Sequence, residues 1–285
     1  MSELLPTSNP FSNELLNLAA SMGCYTPQLE KKSIPVDDDL SQRVQARISQ
    51  REKNRQKNID DILHAAYSNL EARTNLPTQA SCLDIDWFNR LILNAQDVSN
   101  EEMKMMWSKI LAGEIVHPKS FSLRTLGVLR DMTKDDARLI SSIAPYVLHD
   151  NDGNTFIFRE EEMELTIPYS DILYLMELRI LDSSTEMVIY EQFDSVVEDY
   201  SNICRYRTQN VGIVIGSNSN IFSFPAYGFT SVGKQILSLI DNVTPNVDFF
   251  KKQLKKITHD EKCRCGYISD SDEHPFKIGK IIFEL

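Results

Sequence analysis

No glycine or proline interrupts the chain between Leu40 and Arg73, and helix formers dominate that stretch. A segment of this kind reads as one long helix, well beyond the three or four turns usual in globular proteins. Apolar residues recur at Val44, Ile48, Ile59, Ile62, Leu63, Ala66 and Leu70, a helical spacing with a gap. The gap, SQREKNRQKN, is polar on every side, so the middle of the helix is expected to stand in solvent. Arg43, Arg47, Arg51 and Arg55 step by four and so lie along one slowly drifting stripe, which Lys53 and Lys57 extend. Two readings stand side by side. The stripe is a solvated helix face, or it is a contact surface for an anionic partner, either nucleic acid or an acidic patch on a protein.

The next stretch carries clear helix grammar. Ser99 with Glu102 makes a capping-box pattern, and Val98 with Met103 a hydrophobic staple. Met103, Met106, Trp107, Ile110 and Leu111 then form one wide apolar face. Gly113 is expected to stop that helix. A second helix is expected from Ser122, with Leu123, Leu126 and Leu129 inward. A third starts at Thr133, with Asp136 in the capping-box position and Ala137, Ile140 and Ile143 inward. Beyond Asp150 the pattern changes. Asn151-Asp152-Gly153-Asn154 is a turn signal, Thr155 to Arg159 a strand, and Ser170 to Leu181 a helix. MVIYEQF, VGIVI and NIFSF read as strands, Thr230 opens another helix, and KIGKIIFEL reads as a closing strand.

These elements predict a mainly α protein with a smaller α+β part, a helical bundle followed by a winged-helix-like domain. The expected division is a loosely ordered arm over 1–39, the bundle over 40–150 and the winged-helix-like region over 151–241. A tail over 242–285 carries a basic helix and Cys and His residues. The formal charge of −11 argues against a globally basic nucleic-acid binder. No stretch approaches the ~20 apolar residues of a membrane span, and the first residues lack the pattern of a secretory signal. Five cysteines, mostly far apart, do not make a disulfide framework. A cytoplasmic protein without a membrane partner is the expectation.

WSKILAGEIVHPKSFSLRTL (Trp107 to Leu126), RQKNIDDIL (Arg55 to Leu63), DWFNRLILNAQDVSNEEM (Asp86 to Met103) and FTSVGKQILSLI (Phe229 to Ile240) resemble a bacterial family catalogued as a domain of unknown function. The Trp-x-x-Ile/Leu-Leu-Ala-Gly-Glu element is also similar to one in abortive-infection α-type proteins. The resemblance covers roughly Arg43 to Asp241. It implies a bacterial or phage source and a link to phage–host conflict, and it brings no catalytic residues with it.

Candidate chemistry is sparse. His259, Cys263, Cys265 and His274 offer the four soft or borderline ligands of a structural zinc site, though Cys-x-Cys is tighter than the usual spacing. The competing reading is a polar loop with two reduced thiols. Trp107 and its apolar face read as core. Glu114, His117 and Arg124 could form a polar site, or Arg124 could simply pair with Glu114 to pin a loop. No nucleophile elbow, zincin motif or phosphate-binding glycine loop is present. The expected function is therefore a non-enzymatic interaction protein with a protein partner or a second copy of itself. Arg43, Arg47, Arg51 and Arg55, together with Lys251, Lys252, Lys255 and Lys256 of the tail helix, are its expected contact residues. The alternatives are a nucleic-acid-associated regulator using those same basic residues, and an enzyme with a dispersed site.

Overall fold

The computed structural model describes residues 37–73, 83–150, 152–160, 165–182, 187–191, 194–197, 200–208, 211–217, 222–257, 262–268 and 278–285. The chain divides into two compact units, Met1–Val116 and His117–Leu285. The described elements of the first are helices, and the second is mixed.

In the first unit α1 (Asp37–Glu71), α2 (Ile85–Ala95) and α3 (Glu101–Val116) follow one another. The Asp84 carboxylate caps α2, accepting from the amides of Asp86 and Trp87. Asn100 caps α3 by accepting from the amide of Met103 at 3.1 Å. The cap thus falls one residue after Ser99, because an Asn carbonyl at that position reaches the same orphan donor. Gly113 does not stop α3, which runs on to Val116 before Pro118. Asn58 donates to the Gln96 carbonyl just past the end of α2, Lys104 bonds Asp61, and Asn69 donates to Ser108. These contacts climb α1 and α3 together, so the two pack side by side in the same sense, and α2 runs in the opposite sense to end beside Asn58. Ile62, Ala66, Leu91, Trp107, Ile110 and Leu111 fill the core. The Trp107 ring is fully buried, and its indole N–H finds no acceptor among the described residues.

The second unit opens with α4 (Leu123–Asp131), α5 (Lys134–Ile143) and a 3₁₀ turn, Ala144–Tyr146. Ser122 caps α4, and Thr133 with Asp136 forms the expected reciprocal box on α5. Leu126 and Leu129 are buried, but Leu123 is exposed and Thr125 takes the inward position instead. Then come β1 (Leu148–Asp150), β2 (Thr155–Phe158), α6 (Tyr169–Glu177), β3 (Met187–Glu191), β4 (Asp194–Val197), β5 (Tyr200–Thr208), β6 (Val211–Ser217) and β7 (Phe222–Gly228). α7 (Ser231–Leu237), α8 (Val247–Ile257), β8 (Lys262–Ile268) and β9 (Ile278–Glu284) complete the unit.

All nine strands join one antiparallel sheet in the order β3-β7-β2-β1-β5-β6-β8-β9, with β4 on β5. The strands expected to form a small wing therefore sit in a much larger sheet. That sheet also takes in the tail, since β8 pairs with β6 from Val211↔Tyr267 to Gly216↔Lys262. Phe156, Phe158, Tyr206 and Phe224 from β2, β5 and β7 make a ring cluster with centroids 5.0 to 5.9 Å apart. Two glycines are dictated by close approach. A Cβ on Gly233 of α7 would strike the Ile180 carbonyl oxygen, and one on Gly266 would lie 2.6 Å from the Lys280 carbonyl oxygen. Gly266 thus serves the irregular β8–β9 pairing, which shifts register on both sides of it.

Candidate functional site

The basic stripe sits on α1, but its members have different fates. Arg55 is only partly exposed and grips the Asp97 carboxylate with two bonds of 2.7 and 2.8 Å. That pairing raises the Arg55 pKa and lowers that of Asp97. Arg51 meets Glu52 at 3.3 Å, a pair more than half exposed on both sides. Arg47 is exposed, and Arg43 half-buried. The stripe therefore splits at Arg55, where it becomes a structural clamp on the turn after α2.

Below that clamp α1 carries an apolar row that the other described helices of the unit do not cover. Leu40, Val44 and Ile48 are 48, 37 and 40 % exposed, one turn apart along the helix. Arg43, Arg47 and Arg51 border them. The step of four and the apolar spacing are both written in the sequence, but their joint exposure is a tertiary fact. α2 ends and α3 begins beside residues 55–61, so neither reaches the first turns of α1.

Beside the clamp stands a buried cation. Lys104, on α3, has a side chain only 6 % exposed and bonds Asp61 at 2.7 Å and Glu101 at 3.0 Å. Burial alone would lower its pKa, but the two carboxylates outweigh that and raise it. The pair joins the start of α3 to α1 and offers no open position for chemistry.

In the second unit Lys251, Lys252 and Lys256 of α8 are half-buried and Lys255 is exposed. Lys251 lies 5.6 Å above the Phe283 ring, while Phe250 and Leu254 are fully buried. This helix is anchored by its apolar face, and its lysine stems cover part of the core edge. Glu160, ahead of α6, is a clamp. It accepts from the amides of Thr166 and Ile167, from the Thr166 hydroxyl and from Gln253 of α8.

Cys263 and Cys265 lie on one face of β8, both fully buried. Their register partners on β6 are Ile215 and Ile213. Burial pushes each thiol up to about 12. At neutral pH they behave as small apolar side chains. Zinc would need both as thiolates, against that desolvation. The other two expected ligands, His259 and His274, lie outside the described residues. Among the described residues no group of three or more His, Cys, Asp or Glu could hold a metal ion.

Of the proposed polar site, Glu114 is buried in the first unit, while exposed Arg124 belongs to the second. Arg124 lines a groove of about 660 Å³ with Val128, Met176, Arg179, Leu181 and Val232. The sequence held no signal for it, because it is assembled from α4, the end of α6 and the start of α7.

A family model described as a protein of unknown function, DUF2806, matches residues 42–255. The match runs past Asp241 and takes in most of α8. No curated protein and no solved structure matches the chain. Among the described residues no helix is long and apolar enough to cross a membrane.

Proposed function

The chain belongs to this family, DUF2806, and from its surface we propose that it is a non-enzymatic interaction protein that docks through the first half of α1. The observation that carries this reading is the exposure of Leu40, Val44 and Ile48 in a row beside Arg43, Arg47 and Arg51. Exposed apolar side chains scattered singly need no explanation, but a continuous row rimmed by charge marks a contact surface. The occupant that fits is a second copy of the helix. α1 opens on Asp37, Asp38 and Asp39 and carries Arg47 and Arg51 two to four turns later. An antiparallel copy centred on Val44 sets Leu40 against Ile48 and the acidic turn against the basic one. The row is short, so the association is expected to be concentration-dependent rather than obligate. Such a dimer would be a scaffold on which the second unit is displayed twice. The setting implied by the resemblance to abortive-infection α-type proteins is phage–host conflict.

Light scattering across a concentration series tests the proposal. The expected result is a monomer–dimer equilibrium that Leu40→Asp with Ile48→Asp abolishes while helicity is kept. A wild-type chain that stays monomeric at every concentration overturns self-association. The second reading is a nucleic-acid-associated regulator using the same cations and the region over 151–241 expected to be winged-helix-like. It predicts duplex DNA binding that falls steeply with salt and is lost in Arg47→Glu with Arg51→Glu.

A further inference from the structure

Basic side chains gather at one corner of the second unit. His149 of β1 pairs across the sheet with Thr155 of β2 on one side and Arg207 of β5 on the other. Residues directly opposite one another in antiparallel strands share a face, so the three stand in a row. Lys234 reaches over from α7, its Nζ donating to the Gly153 carbonyl at 2.8 Å in the β1–β2 turn. His149, Thr155 and Lys234 border a cleft of about 290 Å³ whose remaining walls include Val147, Leu237 and Ile240. A water takes about 30 Å³, so the cleft has room for about ten atoms of that size.

The bond Lys234 makes is to a neutral carbonyl, and neither Lys234 nor Arg207 forms an ion pair among the described residues. Asp150 is the carboxylate that acts on His149. Both its oxygens are taken by Asn154, through the backbone amide and the side-chain amide, each at 2.7 Å. Asp152 of the same turn is exposed. His149 is held below its ordinary pKa by burial first, then by Arg207 and Lys234, against the opposing pull of Asp150. Its Nδ1 is engaged with the Thr155 hydroxyl at 2.9 Å, which leaves Nε2 for a ligand. In a chain with a surplus of carboxylates, Lys234 and His149 line this cleft, no carboxylate is among its lining residues, and Arg207 stands exposed beside His149 on the neighbouring strand.

We propose that this cleft binds a small molecule bearing an oxyanion, a phosphate or a carboxylate, on a compact apolar body. Lys234 and Nε2 of His149 are the donors, and Arg207 supplies the second positive charge. The apolar walls accept the body of the ligand, and the cations hold its head. This ligand site is independent of docking through α1. Binding is coupled to protonation. An anion beside His149 favours the imidazolium, so it raises the midpoint at which that ring titrates. By linkage the anion binds more tightly as the pH falls through that midpoint.

The test is an NMR titration of the histidine ring protons of the full chain, with His149 assigned from the His149→Ala spectrum. Inorganic phosphate and acetate are the probes, and chloride at matched ionic strength is the control. The free His149 ring is expected to titrate below the ordinary histidine value, and millimolar phosphate or acetate to raise it. Lys234→Met should weaken that response about tenfold, the loss expected for one charge-assisted hydrogen bond. Arg207→Gln gives a second variant, should Lys234→Met disturb the turn at Gly153. A response to acetate alone assigns a carboxylate head, and one to phosphate alone a phosphate head. A midpoint unmoved by both, or moved equally by chloride, overturns the proposal.

Discussion

The two units bury their cores by different means. In the first, the core is local: Met103, Trp107, Ile110 and Leu111 face inward because they recur at helical spacing on one helix, and α1 and α2 cover them. In the second, the core is built from partners far apart in the chain. Phe156 of β2 meets Tyr206 of β5 and Phe224 of β7, and β7 lies between β2 and β3 in the sheet. A helix declares its buried face within two turns. A strand declares only that it has two faces, and its neighbours are settled by pairing that nothing nearby encodes. The same contrast governs charge. The stripe on α1 is visible as a step of four, whereas the basic corner at His149 comes from β1, β5 and α7.

Removing the centre of the local core should have the largest effect. Trp107→Ala leaves a cavity where a fully buried ring stood, at a cost of roughly 3–5 kcal/mol. Hydrogen exchange should show protection lost across α1, α2 and α3. Protection that survives there would mean that the core of the first unit does not rest on this ring.

A smaller loss is expected at Asp136 in the second unit. It closes the capping box on the Thr133 amide at 2.7 Å and accepts from the Tyr174 hydroxyl at 2.7 Å. Asp136→Ala should cost about 2 kcal/mol, from one cap and one charged hydrogen bond. Burial works to raise its pKa, but the Thr133 amide and the Tyr174 hydroxyl prevail and hold it below the ordinary value. The sign follows. The carboxylate contributes its full stability above the unfolded value near ~3.9 and loses it as the pH falls through the lower folded value. Thermal melts of Asp136→Asn should therefore show less acid sensitivity between these values than the wild type. An unchanged pH dependence would remove this role.

The smallest effect is expected at β8. Cys263→Ala removes one buried sulfur from a strand held on both sides and should shift the melting temperature little. Thiol labelling near neutral pH, mapped by mass spectrometry, should leave Cys263 and Cys265 unmodified until the protein unfolds. A zinc-bound species in native mass spectrometry, lost on Cys263→Ala, would reverse this reading and make the pair a metal site.

Much of the helical grammar was legible. The long α1 follows from a stretch without Gly or Pro, and the Ser122 and Thr133 caps, the Asp136 box and the Thr230 cap follow from side chains that satisfy amides within a turn of themselves. Boundaries were less so. Gly113 sits inside α3, because packing on the α3 core offsets the cost of one glycine. β1, β4, β5 and β8 were not foreseen, β5 despite its nine residues. In RYRT, polar residues alternate with Tyr206 and Thr208, whose burial needs β1 and β6 on either side. Cys263 and Cys265 read as potential ligands because with His259 and His274 they supply the four donors zinc prefers, although their spacing of two is tighter than usual. The same spacing places both on one face of a strand.

By itself the sequence determined what depends on neighbours within a few residues: where helices begin, which faces are apolar, and the absence of any catalytic motif. Tertiary structure decided the rest. It spent Arg55 on Asp97 and left Arg47 in solvent, turned two cysteines into core, and brought Lys234 to one cleft with His149, whose strand neighbour is Arg207. The physical reason is range. Helical hydrogen bonds and caps close over three or four residues, whereas sheet pairing, burial and charge neutralisation depend on which distant segments the fold brings together.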